Sequence, residues 1–285
     1  MEEGRRRVDA VTAREDTRRR DVVTPGQGGR RRDAVTAAGW SALGVAAAIG
    51  GWALAAAAFA IPEIILPSPA AVVTAFLRLP GYLLEQAAIT LAETALGFAL
   101  SVVCGLAIGL VIAAWRVAEL MFAPLLVAFN AVPKVALAPL LVVWMGFGQQ
   151  PKVVMALLVC FFPVVLSVAS GLTSTPPELV ELARSLDTPR GQTFVRIRLP
   201  AALPQIFVGL KVAMPLASVG AVIGEFSAGD AGLGFVIVQA GGSADTALAF
   251  AAIALLGVMS MALFYALVLA ERLLLPWVRE TSAAR

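Results

Sequence analysis

The stretch Pro176–Ile206, "PPELVELARSLDTPRGQTFVRIRLPAALPQI", carries seven charged residues in a chain of which only 14% are charged. Its chemistry is that of a docking segment rather than a reaction centre. Thr175, Pro176 and Glu178 have the spacing of a capping-box helix start. Leu179, Leu182, Ala183 and Leu186 then fall at i, i+3, i+4 and i+7, which lines up one apolar face over about two turns. A helix that short is not stable alone. Its apolar face therefore needs a partner: the rest of the chain, a lipid surface, or a groove on another subunit. Thr188-Pro189 restarts the chain into a second short helix, and Leu199-Pro200 closes it, with Pro200 suited to the first turn of the next span.

Other reactive chemistry is sparse. The chain has no histidine, the commonest acid/base catalyst and metal ligand. Its two cysteines, Cys104 and Cys160, sit inside apolar runs without metal-type spacing, so neither a disulfide framework nor a zinc site is expected. No G-x-x-x-x-G-K-[ST] string occurs. The chain is expected to be neither an enzyme nor a cofactor carrier, and any ATP it depends on is bound elsewhere. Among the ionisable residues within apolar runs, Lys134, Lys211 and Glu225 stand out. Lys134 follows Pro133 halfway along a run broken by "NAVPKVALAP". With Asn130 it either lines a polar pathway or bonds carbonyls freed around Pro133 and Pro139. Lys211 lies near the end of its run, where a structural, snorkelling role is expected. Glu225 precedes "GDAGLGFVIVQAGG", a short re-entrant or surface helix, and either frames an outer gate or simply faces outer water.

The elements that must position these groups are membrane helices. Hydrophobic residues make up 59% of the chain, and the mean hydropathy is +0.86. Apolar runs long enough to cross a hydrocarbon core of about 30 Å recur. The expectation is an all-α integral membrane protein with six transmembrane helices, over about Ala37–Ile61, Ala88–Trp115, Glu119–Gly146, Lys152–Leu172, Leu203–Glu225 and Thr246–Ala270. Between the first two, "PEIILPSPAAVVTAFLRLP" reads as a loop and a short helix begun at Pro69. Gly97, Gly105 and Gly109 would let neighbouring helices approach closely.

Residues 1–36 hold ten Arg against seven acids and repeat "RRRVDAVTA" at Arg5 as "RRRDVVTPG" at Arg18 and "RRRDAVTAA" at Arg30. Such a segment buries no core and reads as a disordered tail, either an anionic-lipid contact or a dispensable extension. The expected organisation is this tail (1–36), a first span and outer loop (37–85), a core (86–272) containing the charged loop 173–202, and a C-terminal tail (273–285). With the N-terminus inside, inner segments hold eighteen Lys or Arg and outer segments only Arg78 and Lys152, so both termini and the charged loop are expected in the cytoplasm.

The string "ELARSLDTPRGQTFVRIRLP" resembles the EAA loop of ABC-transporter permeases: EAA, three residues, Gly, nine residues, Ile, any residue, Leu-Pro. Here Glu181-Leu182-Ala183, Asp187, Ile197 and Leu199-Pro200 keep that spacing, with Leu182 replacing an alanine and Asp187 the glycine. "LPSPAAV", "AVPKVALAPLLVVWMGFG", "PAALPQIFVGLKVA", "GEFSAGDAGLGFVI" and "LLLPW" resemble, in order, the nitrate/sulfonate/taurine-type branch of the binding-protein-dependent permeases. The resemblance implies the type I importer architecture and a multi-pass plasma-membrane subunit, expected as a homodimer. It also implies a cytoplasmic ABC ATPase, an extracytoplasmic substrate-binding protein and no nucleic-acid partner. The coupling helix would comprise Glu178, Leu179, Glu181, Leu182, Ala183, Leu186 and Asp187, followed by Ile197, Leu199 and Pro200. Asn130, Pro133, Lys134 and Glu225 are the pathway candidates. The cargo would be a small anion of the nitrate, sulfonate or taurine kind, or a thiamine- or riboflavin-related precursor. A secondary transporter is the alternative, though no clear internal repeat supports it.

Overall fold

The computed structural model describes residues 27–59 and 61–277. Residues 1–26 of the expected tail, with its first two arginine repeats, lie outside these residues, as does the C-terminal end beyond Trp277. Every regular element among the described residues is helical. The chain divides into two compact units, Met1–Ala60 and Ile61–Arg285.

The first unit contains helix α1 (Gln27–Ala58). The third arginine repeat, expected to be disordered, is inside this helix: residues 30–38 contain no glycine or proline, and Gly39 beyond them, at about 1 kcal/mol relative to alanine, does not end the helix. Its apolar part, Leu43–Ala58, is shorter than a crossing needs, so the described residues provide up to five crossings where the sequence predicts six.

The second unit opens with α2 (Pro69–Arg78), whose N-terminus is capped by Ser68 Oγ accepting from the Ala71 N–H at 3.2 Å. Four longer apolar helices have crossing length: α3 (Pro80–Ala114), α6 (Gln149–Thr173), α9 (Leu199–Ala228) and α11 (Thr246–Leu274). A fifth crossing is broken: α4 (Arg116–Ala131), a tight turn at Lys134–Leu137, and α5 (Ala138–Met145), bent by 79°. Pro133 is the cause. It holds Val132 extended (φ −67°, ψ 131°) and ends α4, and Pro139 then fits the first turn of α5. The expected boundary at residue 85 falls inside α3. Unit two instead begins at Ile61, because α2 packs on α11 and the Thr246 hydroxyl bonds the Ile64 carbonyl at 2.6 Å.

Helix α6 is the centre, packed between α3 and α9. The approach is backbone-close. A Cβ on Gly105 or Gly109 of α3 would stand 2.6 Å from Val164 or Val168 of α6, and one on Gly220 of α9 would stand 2.7 Å from the Ala156 Cα. Cys160, Val164, Val168 and Leu172 of α6 fill the core with Ile206, Leu210, Ala213 and Ala217 of α9. Helix α11, only 6% buried over its most apolar window, lies at the periphery.

Between α6 and α9 come α7 (Pro177–Ser185) and the single turn α8 (Arg190–Thr193). The expected break at Leu199-Pro200 is absent. A π-turn at Phe194–Arg198 carries the chain unbroken into α9, with the Leu199 N–H reaching the Phe194 carbonyl. Pro200 brings no N–H, and widening the ladder by one residue just before it keeps the helix continuous. After α9, Gly229 (φ 61°) and Gly232 (φ 105°) turn the chain into α10 (Leu233–Gly242), where the sequence predicts a short helix.

Candidate functional site

Two sites occupy opposite ends of α6. At its C-terminal end lies the charged segment. The capping box does not form: α7 starts at Pro177, which makes Pro176 rather than Thr175 the N-cap, and the buried Thr175 Oγ1 has no hydrogen-bond partner among the described residues. The other end of α7 closes as a Schellman motif, with the Thr188 N–H bonded to the Ala183 carbonyl at 3.1 Å and Asp187 in the left-handed region at φ 50°. Asp187 thus takes the conformation for which glycine is the usual residue.

The expected single apolar face divides. Ala183 is 3% exposed and packs into its own chain, whereas Leu179, Leu182 and Leu186 are 44%, 57% and 71% exposed. The reason is room: only the methyl of Ala183 allows the helix to lie close to the protein, and the three leucines project outward. Glu178 and Glu181 are exposed beside them, while Ile197, Leu199 and Pro200 are half-buried where the next span begins.

At the N-terminal end of α6 lies a buried ion cluster. Lys152 Nζ meets Glu93 Oε1 of α3 at 3.3 Å, the Ala231 carbonyl at 2.9 Å, and Asp230 Oδ1. The lysine and Glu93 side chains are each 1% exposed, whereas that of Asp230 is 47% exposed. An open cleft of about 450 Å³ lies beside them, lined by Glu85, Glu93, Gln149, Lys152 and Asp230 among others. Close by, three successive backbone N–H groups at the start of α10 are taken by side chains. Gly232 donates to Gln86 Oε1 at 2.7 Å, Leu233 to Thr90 Oγ1 at 2.8 Å, and Gly234 to Glu225 Oε2 at 2.6 Å. The Thr90 hydroxyl in turn donates to Glu225 Oε1 at 2.6 Å. These are the N–H groups that a helix start leaves unpaired, and a carboxylate there also meets the positive end of the helix dipole. Gly234 must lack a side chain, since a Cβ would stand 2.7 Å from Glu225 Oε2.

Two expectations are corrected here. Glu225 does not face outer water; it is fully buried, because α10 folds back over it. Lys152 is not a loop cation; α6 begins at Gln149 and carries it under the Gly229–Gly232 turn. The pathway candidates separate. Lys134 Nζ bonds Asn130 Oδ1 at 2.7 Å and the Asn130 carbonyl at 3.4 Å, next to Pro133 at the break between α4 and α5, whereas Glu225 belongs to the cluster. Lys211 pairs with Glu271 of α11 at 2.9 Å, each about a quarter exposed (24% and 22%), as a structural role requires. Sequence reasoning passed over Gln86, Thr90, Glu93 and Asp230. The signal was present: Gln86, Thr90, Glu93, Thr94, Gly97, Ser101 and Gly105 recur at helical spacing in an otherwise apolar run, marking one polar or small face of α3.

Residues 101–280 match the family model described as "Binding-protein-dependent transport system inner membrane component". The chain belongs to this family. It is a multi-pass ABC-importer permease, a transport subunit rather than a catalytic one. Among similar proteins, the riboflavin transport system permease of Chloroflexus aurantiacus is 38% identical over 76% of this permease and 81% of the relative. A probable ABC transporter permease of Haemophilus influenzae is 35% identical over 73% and 85%. The putative aliphatic sulfonates permease of Bacillus subtilis is 33% identical over 75% and 78%. Among solved structures, the MetNI methionine ABC transporter matches at TM-score 0.60 and 20% identity, over 68% of this permease and 97% of that chain, which establishes the type I fold.

Proposed function

We propose that α7 is the coupling helix through which a separate cytoplasmic ATPase drives this permease. The observation that carries the reading is the row Leu179, Leu182 and Leu186, exposed on a helix whose ends are fixed by two prolines and a Schellman turn. A row of leucines left in water is costly unless covered, and burying one such side chain is worth about 1.5–3 kcal/mol. The permease works in the plasma membrane with both termini and α7 in the cytoplasm, as the distribution of arginines favours. It pairs with a second copy and receives its cargo from an extracytoplasmic binding protein. The cargo is a small solute of the nitrate, sulfonate or taurine kind. The thiamine- and riboflavin-related reading gains support from the 38%-identical riboflavin permease and from a formylaminopyrimidine permease of Halalkalibacterium halodurans at 34% identity.

Leu182→Asp tests the coupling reading. The side chain is 57% exposed, so the permease should reach the membrane at normal abundance and lose co-purification with its ATPase. Undiminished co-purification would remove α7 as the docking helix. The cargo reading is decided by uptake of labelled taurine against labelled aminopyrimidine in cells that overproduce the complex.

A further inference from the structure

The ion cluster has an uneven design. Lys152 has two carboxylate partners that differ in setting: Glu93 is buried on α3, a long rigid helix, and Asp230 is half in water on a two-residue turn. That turn, Asp230-Ala231, lies between two positive-φ glycines, Gly229 and Gly232. It is the connection by which α10 hangs from α9. Glu93 Oε1 faces the ammonium, and the buried Glu93 carboxyl also adjoins that of Glu225 on α9. The cleft beside the cluster admits water to Asp230.

We propose that Lys152 is a positioning residue for the transport cycle, holding the α9–α10 turn closed through Asp230 and Ala231 and releasing it by keeping its bond to Glu93 alone. A buried ammonium stripped of every partner is prohibitively costly, but one that gives up Asp230 and keeps Glu93 stays paired. Asp230, once released, is hydrated through the cleft and leaves no orphan charge behind. Gly229 and Gly232 absorb the change in backbone angles. The N–H bonds of Gly232, Leu233 and Gly234 to Gln86, Thr90 and Glu225 set how far α10 can lift before it must let go of α3. The charged groups facing Lys152 are thus Glu93 from α3 and Asp230 from the turn, with Glu225 of α9 in the same cluster and Glu85 at the cleft rim. That this end faces outward rests on the orientation proposed above.

The test uses Val236→Cys on α10, a position 1% exposed in the closed form, in the full chain assembled with its ATPase. Labelling by a membrane-impermeant maleimide is measured on intact cells and on inside-out vesicles, against the parent with Cys104 and Cys160 alone. Adding Asp230→Asn should raise labelling about tenfold or more, the loss expected for one charge-assisted bond, with abundance unchanged because Glu93 still holds Lys152. Asp230→Glu should restore slow labelling. Combining Asp230→Asn with Glu93→Gln should abolish the folded complex. Unchanged labelling in Asp230→Asn overturns the proposal. So does loss of the complex in that single variant, since it would mean Glu93 cannot hold the lysine alone. A rise seen only in inside-out vesicles upholds the exchange and overturns the orientation.

Discussion

The ion cluster and the coupling segment, at opposite ends of α6, break the ordinary separation of oil from charge in opposite directions. At one end a lysine and two glutamates are withdrawn from water and held by contacts from α3, α9 and the turn before α10. At the other, Leu179 and Leu182 of α7 and Leu186 just beyond its end are exposed, with Ala183 packed beneath them. The cluster is complete within one chain, so its residues answer to one another. The segment proposed for coupling leaves its leucines uncovered by the described residues, as docking on a partner would require. Substitutions at the two ends should therefore fail differently, by unfolding at the first and by dissociation at the second.

The largest expected effect comes from removing the cation. Lys152→Met leaves Glu93 buried beside Glu225 without a cation, and breaking a buried pair from one side costs about 3–5 kcal/mol. The predicted outcome is near-complete loss of folded permease from the membrane, read by fluorescence-detected size exclusion. Normal abundance and melting would show that the cluster is not what ties α3, α6 and α10 together.

Next comes Ala183→Asp, which sharpens the boundary inside α7. At 3% exposure the new carboxylate is buried against the chain's own surface, at a predicted cost of about 1–3 kcal/mol for an unsatisfied polar group, or more if it stays charged. Lower thermal stability and lower abundance should accompany any loss of ATPase binding, in contrast to Leu182→Asp. If both variants keep wild-type melting temperatures, the division between the buried and exposed sides of α7 is wrong.

That division was only half legible in the sequence. Spacing located α7 and its end at Asp187, because a period of three and four and a glycine-type cap are local properties of the chain. It also located the break at Pro133, since proline acts on its immediate neighbours. Spacing could not tell Ala183 from the leucines beside it, because which side of a two-turn helix meets the protein depends on how α6 and α9 deliver its ends. The cluster was harder still. Lys152 and Glu225 sit within four residues of helix ends, where hydropathy assigns a charge to water. Only the return of α10, brought about by glycines at 229 and 232, covers them. Glu93 was hidden differently: one carboxylate barely lowers the average of a long apolar run, although its helical neighbours Gln86, Thr90 and Ser101 mark the face it shares.

Lys134 stands between the two extremes, half-exposed and, among the described residues, bonded to Asn130 four residues before it. Lys134→Met should leave abundance and ATPase binding unchanged, because one solvent-accessible bond contributes about 0.5–1.5 kcal/mol. A pathway role then predicts a clear fall in uptake. Full uptake at normal abundance would remove Lys134 from the pathway and leave the bend itself as the significant feature.

The smallest effect has the opposite sign. Asp187 holds φ at 50°, a region that costs a residue with a Cβ about 1–2 kcal/mol, somewhat less for Asp. Its carboxylate also lies at the negative end of the α7 dipole, a further penalty of about 0.3–1 kcal/mol, reduced by salt. Against both, glycine loses more backbone freedom on ordering, about 0.5–1 kcal/mol. Asp187→Gly should therefore stabilise α7 by about 0.5 kcal/mol, read as slower amide exchange at Thr188, whose N–H closes the Schellman turn on Ala183. ATPase association should be unchanged or slightly tighter, since the leucines that dock are pre-ordered. Faster exchange at Thr188 would show that the aspartate strengthens the turn. Weaker ATPase association at unchanged exchange would mean that its carboxylate, exposed at the tip of the segment, is itself a contact for the partner.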